Sequence, residues 1–179
     1  MNYQDILDFW FSAETQPNWF AKSDHFDQSL TEQFSEILEQ ASQAELWSWR
    51  KTAEGRLAEI IVLDQFSRNI FRGTACAFAQ DSLALALAQE AISLDLDKQL
   101  SPEQRAFLYM PFMHSESRLI HEYAFKLFQR LGNPSNLEYE IKHKIIIERF
   151  GRYPHRNQIL GRESTEEELS FLTQPDSSF

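Results

Sequence analysis

Apolar residues recur at intervals of three and four along nearly the whole chain, and nowhere do they alternate cleanly with polar ones. This spacing puts them on one face of a helix, whereas a half-buried strand needs a period of two. Phe26, Leu30, Phe34, Ile37, Leu38 and Ala41 are the clearest set, with Ser23 or Asp24 placed to cap the helix. A short, very apolar segment over 3–11 precedes it. From about Ala53 through Arg68, the residues Leu57, Ile60, Ile61, Val62, Leu63 and Phe66 are apolar nearly all round, so this helix belongs at the centre. A long Ala/Leu-rich helix is predicted over roughly 75–94. Ser101-Pro102-Glu103-Gln104 combines a capping box with proline at the first helical position, and Pro111 is expected to break or kink the helix that starts there. A helix over about 115–131 stops at Gly132-Asn133-Pro134. Ser135 or Asn136 opens the next, which Gly151 closes, and a capping box at Ser164-Thr165-Glu166-Glu167 starts a last short helix to Leu172.

These signals predict an all-α fold, an array of antiparallel helical hairpins in a single domain over 1–172, with a flexible tail over 173–179. Ala124, Phe128, Leu131 and Pro134 add a partial tetratricopeptide pattern. With 42% hydrophobic residues and fifteen Phe among 179, the chain can build a real core. The single cysteine excludes an internal disulfide and a cysteine-based zinc site; within its Ala-rich surroundings Cys76 reads as a small core residue. No apolar run approaches the roughly 20 residues that span a bilayer, and the N-terminus lacks the pattern of a signal peptide. A cytoplasmic location away from membranes is the expectation.

The formal charge of −10 argues against nucleic acid as a partner, since phosphate neutralisation needs clustered bases. Both ends of the chain are acidic, but residues 61–162 carry a slight excess of bases, much of it arginine. Two stretches echo each other there. Leu63-Asp64-Gln65-Phe66-Ser67-Arg68 is followed by Arg72, and Ile147-Glu148-Arg149-Phe150-Gly151-Arg152 by Arg156. One reading makes them two arginine-bearing edges of a single cleft, with Arg68, Arg72, Arg152 and Arg156 clamping an anion while Asp64 and Glu148 orient the guanidinium forks. The plainer reading is a pair of i, i+4 helix contacts. His114, His143 and His155 are candidate acid/base groups because imidazole titrates near neutrality; Glu116 and Asn157 stand beside them. No cofactor motif is present, neither a phosphate-cradling glycine loop nor a dinucleotide fingerprint. A metal is not expected either, because His114 and His121 lie two turns apart and no His-Glu-x-x-His occurs.

Leu7-Asp8-Phe9-Trp10-Phe11, Trp19-Phe20, the 63–72 stretch, Ala77-Phe78-Ala79-Gln80-Asp81, His114-Ser115-Glu116 and the segment from Arg149 to Glu163 together resemble the bacterial domain of unknown function 924 family. The resemblance covers nearly the whole chain and is most specific from Arg149 through Asn157 and from Leu160 to Glu163. Ser67 stands where that family usually has proline, and Tyr153 where it usually has phenylalanine. The family implies a tetratricopeptide-like, all-helical fold and no assigned activity.

These residues are compatible with three functions. The first is a pocket for a small anionic ligand bearing phosphate or carboxylate, with a histidine moving a proton if there is chemistry. The second is a protein-interaction module that holds an acidic peptide or chain terminus in an arginine-lined groove. The third is a purely structural ion-pair network. The first requires the two arginine stretches to share one water-accessible hollow.

Overall fold

The computed structural model describes residues 1–179 and is all-helical. Helix α1 spans Tyr3–Trp10 and α2 spans Asp24–Ser42. Helix α3, Ala53–Ile61, runs on without a break through a π-helical turn at Val62–Phe66 into α4, Ser67–Ile70. Then come α5 (Asp81–Ser93), α6 (Pro102–Met113), α7 (Arg118–Leu131), α8 (Pro134–Phe150) and the short α9 (Glu166–Phe171).

The starts are set by side-chain caps that satisfy the first free N–H groups. Asn2, Ser23, Thr52, Ser101, Ser117, Asn133 and Thr165 each accept from a backbone N–H in the following turn. Helix α8 therefore opens on Asn133 with Pro134 in its first turn, ahead of Ser135 and Asn136, and α9 starts one residue later than its sequence pattern predicts. Gly132 and Gly151 end α7 and α8 at φ 76° and 70°, where a Cβ would be strained.

The centre is α3 and its π-helical extension. Leu57, Ala58, Ile60, Ile61, Val62, Leu63 and Phe66 are all fully enclosed, as their all-round apolarity predicts. Phe66 packs against Phe34 of α2 and Trp10 of α1 at ring distances of 4.9 and 5.6 Å. Trp10 also meets Phe107 of α6 edge-on at 5.6 Å. Glu59 is buried in this core because Arg50 grips it with two hydrogen bonds of 2.7 Å. Helices α7 and α8 run antiparallel, with the Arg118 guanidinium reaching the Ile147 carbonyl and Lys144 paired with Glu122. A smaller core of Ile146, Ile147 and Tyr153, flanked by Phe150 and Phe171, seats the segment after α8.

Three local expectations are corrected. Pro111 does not break α6, which continues to Met113; the proline removes its own N–H from the ladder, which is resumed by the His114 N–H bond to the Met110 carbonyl. The helix predicted over 75–94 is divided. Residues 75–78 form a 3-10 turn and α5 begins only at Asp81, since Ala/Leu propensity favours helix without fixing where it starts. Cys76 lies in that turn and is exposed. Phe179 stacks on His143 with centroids 3.9 Å apart, and Ser177 is buried.

Gly55 lies where α3 passes the Glu45–Lys51 turn, and an added Cβ would stand 2.1 Å from the Trp49 carbonyl oxygen. Gly55→Ala should therefore destabilise the fold by about 1–3 kcal/mol through overpacking, despite alanine's better helix propensity. Urea denaturation of the variant checks this, and an unchanged midpoint would refute it.

Candidate functional site

The π-helical turn carries the first component. Widening the helix by one residue re-aims side chains, and such turns occur often at functional sites. Here it turns Asp64 and Gln65 into the protein, where both are buried. The Asp64 carboxylate accepts from Gln65 Nε2 at 2.6 Å, pairs with Arg68 Nη1 at 3.2 Å and meets His114 Nδ1 at 2.8 Å. Burial alone would raise its pKa, but His114 and Arg68 outweigh this and hold the carboxyl well below the usual range. His114 is the C-cap of α6. Facing an ionised carboxylate, its Nδ1 carries the proton. Burial and the nearby Arg68 charge keep the ring neutral by pulling its pKa down, so Nε2 is an unprotonated acceptor. No protein group bonds it.

Asp81 is the second component. As the first residue of α5, it accepts from Arg68 Nη1 at 3.0 Å and Nη2 at 3.1 Å, and from Arg156 Nη1 at 3.1 Å. Segments far apart in sequence thus converge on one carboxylate. Arg156 comes from the 3-10 turn Pro154–Arg156. Its guanidinium lies over the rings of Phe78 and Tyr153, at 4.4 and 4.6 Å, and its Nη2 donates to the His114 carbonyl at 3.1 Å. Its Nε is buried without a partner.

A cavity of about 300 Å³ opens beside these groups. Asp81, Ser82, His114, Ser115, Glu116 and Arg156 form its polar wall, and Ala75, Phe78, Ala79, Leu85 and Leu160 its apolar wall.

The remaining sequence candidates fall into two groups. Glu116 lines the cavity but is fully engaged, accepting from Tyr153 N at 2.7 Å and from Arg162 at 2.7 and 2.8 Å. His143 stands behind His114, their rings 6.5 Å apart, and donates from Nδ1 to the Tyr139 carbonyl at 2.7 Å. His155 packs against Tyr153 and leaves Nδ1 buried and unpartnered. Burial pushes these two histidines down to about 3 and about 4, with Arg156 contributing to His155.

The others do not join the clamp. Arg72 is held by Asp27 of α2 at 2.5 and 2.9 Å. Arg152 grips Glu168 of α9 at 2.6 and 2.8 Å. Glu148 is exposed and pairs with Lys144 at 3.5 Å, so it orients no arginine of the site. The buried Asn157 bonds Ser164, Glu168 and Arg162, fastening the 151–165 segment internally. Of the four arginines expected to clamp an anion, only Arg68 and Arg156 come together, on Asp81, and only Arg156 lines the cavity.

Asp81, Phe78 and the Glu140–His121 pair are not among the residues that the sequence singles out for a site. His121 is buried between Glu140, at 2.9 Å, and the Ser115 carbonyl, at 2.8 Å, and so braces the turn that follows His114. The sequence signals for Asp81 are its place in the Ala77–Asp81 segment of the family resemblance and its position as an acid between two arginine motifs. No three His, Cys, Asp or Glu side chains come together in a metal-holding arrangement.

Residues 6–176 match the family described as bacterial protein of unknown function (DUF924). The chain belongs to this family. A solved structure similar to it is that of a protein of unknown function, ATU0120, from Agrobacterium tumefaciens. The two are 42% identical with a TM-score of 0.89, over 95% of this chain and 96% of that one. No curated protein matches. No helix of this DUF924 protein is long and apolar enough to cross a membrane.

The charges of the site lead to two expected outcomes. Asp81→Asn leaves two part-buried guanidinium groups facing each other and should cost about 3–5 kcal/mol, read as a lowered urea midpoint. His143 and His155 are neutral when folded and titrate near 6.5 when unfolded, so the unfolded chain takes up protons first as pH falls. Stability should hold above pH of about 6.5 and decline below it, by on the order of 1 kcal/mol per histidine per pH unit. Denaturation at a series of pH values tests this, and His143→Phe should flatten the decline.

Proposed function

We propose that this protein binds a small anionic ligand in the cavity between Phe78, His114 and Arg156, and that His114 exchanges a proton with it. The observation that carries this reading is the state of His114. Its Nδ1–H is held by a buried carboxylate while Nε2 keeps a lone pair that no protein group uses. A carboxylate behind an imidazole fixes the tautomer and stabilises the imidazolium that forms when the ring takes a proton, the arrangement of a general base. Arg156 supplies the anion contact: of its five N–H groups, protein acceptors take two.

The outer ion pairs, Arg72–Asp27, Arg152–Glu168 and Arg162–Glu116, support the structural reading for their own residues. They tie the chain segments together, and of their residues only Glu116 lines the cavity. The peptide-binding reading loses its arginine groove for the same reason, although Trp47 is 65% exposed and Phe20 75%; neither lines this cavity.

A thermal-shift and calorimetry screen of small monocarboxylates and phosphate esters is the test. Binding should raise the melting temperature of the wild type. Arg156→Lys, which keeps the charge but not the planar fork, should weaken binding about tenfold or more. His114→Phe should leave anion binding in place while removing proton uptake on binding, measured as the buffer dependence of the heat. A wild type that responds to no anion would sink the proposal.

A further inference from the structure

The hydrogen-bonding capacity of the cavity wall restricts the ligand further. Asp81 already accepts three hydrogen bonds from Arg68 and Arg156, and Glu116 accepts three from Arg162 and Tyr153. Both carboxylates are thus already charge-paired with guanidinium groups, Asp81 with two and Glu116 with one. Of the titratable side chains on the wall, His114 alone has an acceptor atom, Nε2, with no protein partner. The unclaimed donors are those of Arg156, a side chain more than nine-tenths buried, and the hydroxyls of Ser82 and Ser115. Arg156 Nη2 bonds the carbonyl of His114 itself, at 3.1 Å. Acceptor and donor are thereby locked at neighbouring positions.

Resting on the binding reading above, we infer that the ligand is a small hydroxycarboxylate with an apolar body: its carboxylate on Arg156, its hydroxyl donating to His114 Nε2, its carbon chain against Phe78, Leu85 and Leu160. A hydroxyl fits better than an ammonium, because the ligand's second group lies close to two guanidinium groups and both carboxylates of the wall are already neutralised by arginines. A single negative charge fits better than a phosphate dianion. Arg156 is the one cationic side chain on the wall, and Asp81 already offsets part of its charge. The apolar wall and a volume at the low end for ligand pockets call for a body of only a few carbons.

Calorimetry with 2-hydroxy-4-methylpentanoate, its analogue lacking the hydroxyl, the corresponding 2-amino acid and inorganic phosphate tests this. The hydroxy acid should bind most tightly, and loss of its hydroxyl should weaken binding about five- to tenfold. His114→Phe should lower the hydroxy acid to the level of the deoxy analogue and leave the latter's affinity unchanged. Arg156→Lys should weaken both carboxylates in parallel, and circular dichroism confirms that each variant is folded. Equal binding of the hydroxy and deoxy acids, or tighter binding of phosphate or the amino acid, would overturn the hydroxycarboxylate assignment while leaving an anion pocket intact. Binding of none of the four, or of any other anion in the wider screen, would overturn both.

Discussion

Asp81 is the carboxylate on which the rest of the site depends. Two guanidinium groups converge on it, one from the end of the central helix and one from the turn after α8. Their mutual repulsion in a part-buried setting would force the segments apart without it. Because it stands at the first turn of α5, it also complements the positive end of that helix. Arg68 in turn lowers the pKa of both Asp64 and His114, so the position of one aspartate reaches the protonation state of an imidazole it does not touch.

Around this centre the charged residues divide by depth. Inner groups such as Asp64, His114, Asp81 and Arg156 share partners and leave hydrogen-bonding capacity unused. Outer groups form closed pairs: Arg72 with Asp27, Arg152 with Glu168, Arg162 with Glu116. A closed pair uses its donors within the fold and adds little beyond local fastening. An incompletely matched one costs stability, and a site that must accept a ligand retains such capacity. The 151–165 segment shows both kinds. Its outer residues anchor it so that Arg156 can be held over Phe78 and Tyr153.

Helical periodicity makes much of the fold legible. The buried set of α2 is the set its spacing predicts, and the central position of α3 follows from a surface apolar all round. Boundaries are less legible where the deciding interaction is tertiary. Nothing local in the Ala/Leu-rich stretch signals that the helix waits for Asp81, because its arginine partners come from remote segments. The repeated acid–Phe–Arg pattern locates the right neighbourhood, yet it treats the paired arginines alike. In fact Arg68 and Arg156 turn inward, whereas Arg72 and Arg152 turn to α2 and α9. Glu148 illustrates the limit of i, i+4 reasoning: Arg152 follows the glycine that ends α8, so the two never share a helical face.

The wide turn at Val62–Phe66 separates what the longest helical run does upstream from what it does downstream. Before it, side chains fill the interior in one angular register; from it onward the register is shifted, and Asp64, Arg68 and Asn69 answer to a different set of neighbours. The turn itself holds both kinds, Phe66 in the aromatic packing and Asp64 in the polar centre, within one uninterrupted rod. The aromatic interior and the buried charges are thereby joined at a single bend, and neither can be reshaped there without reaching the other.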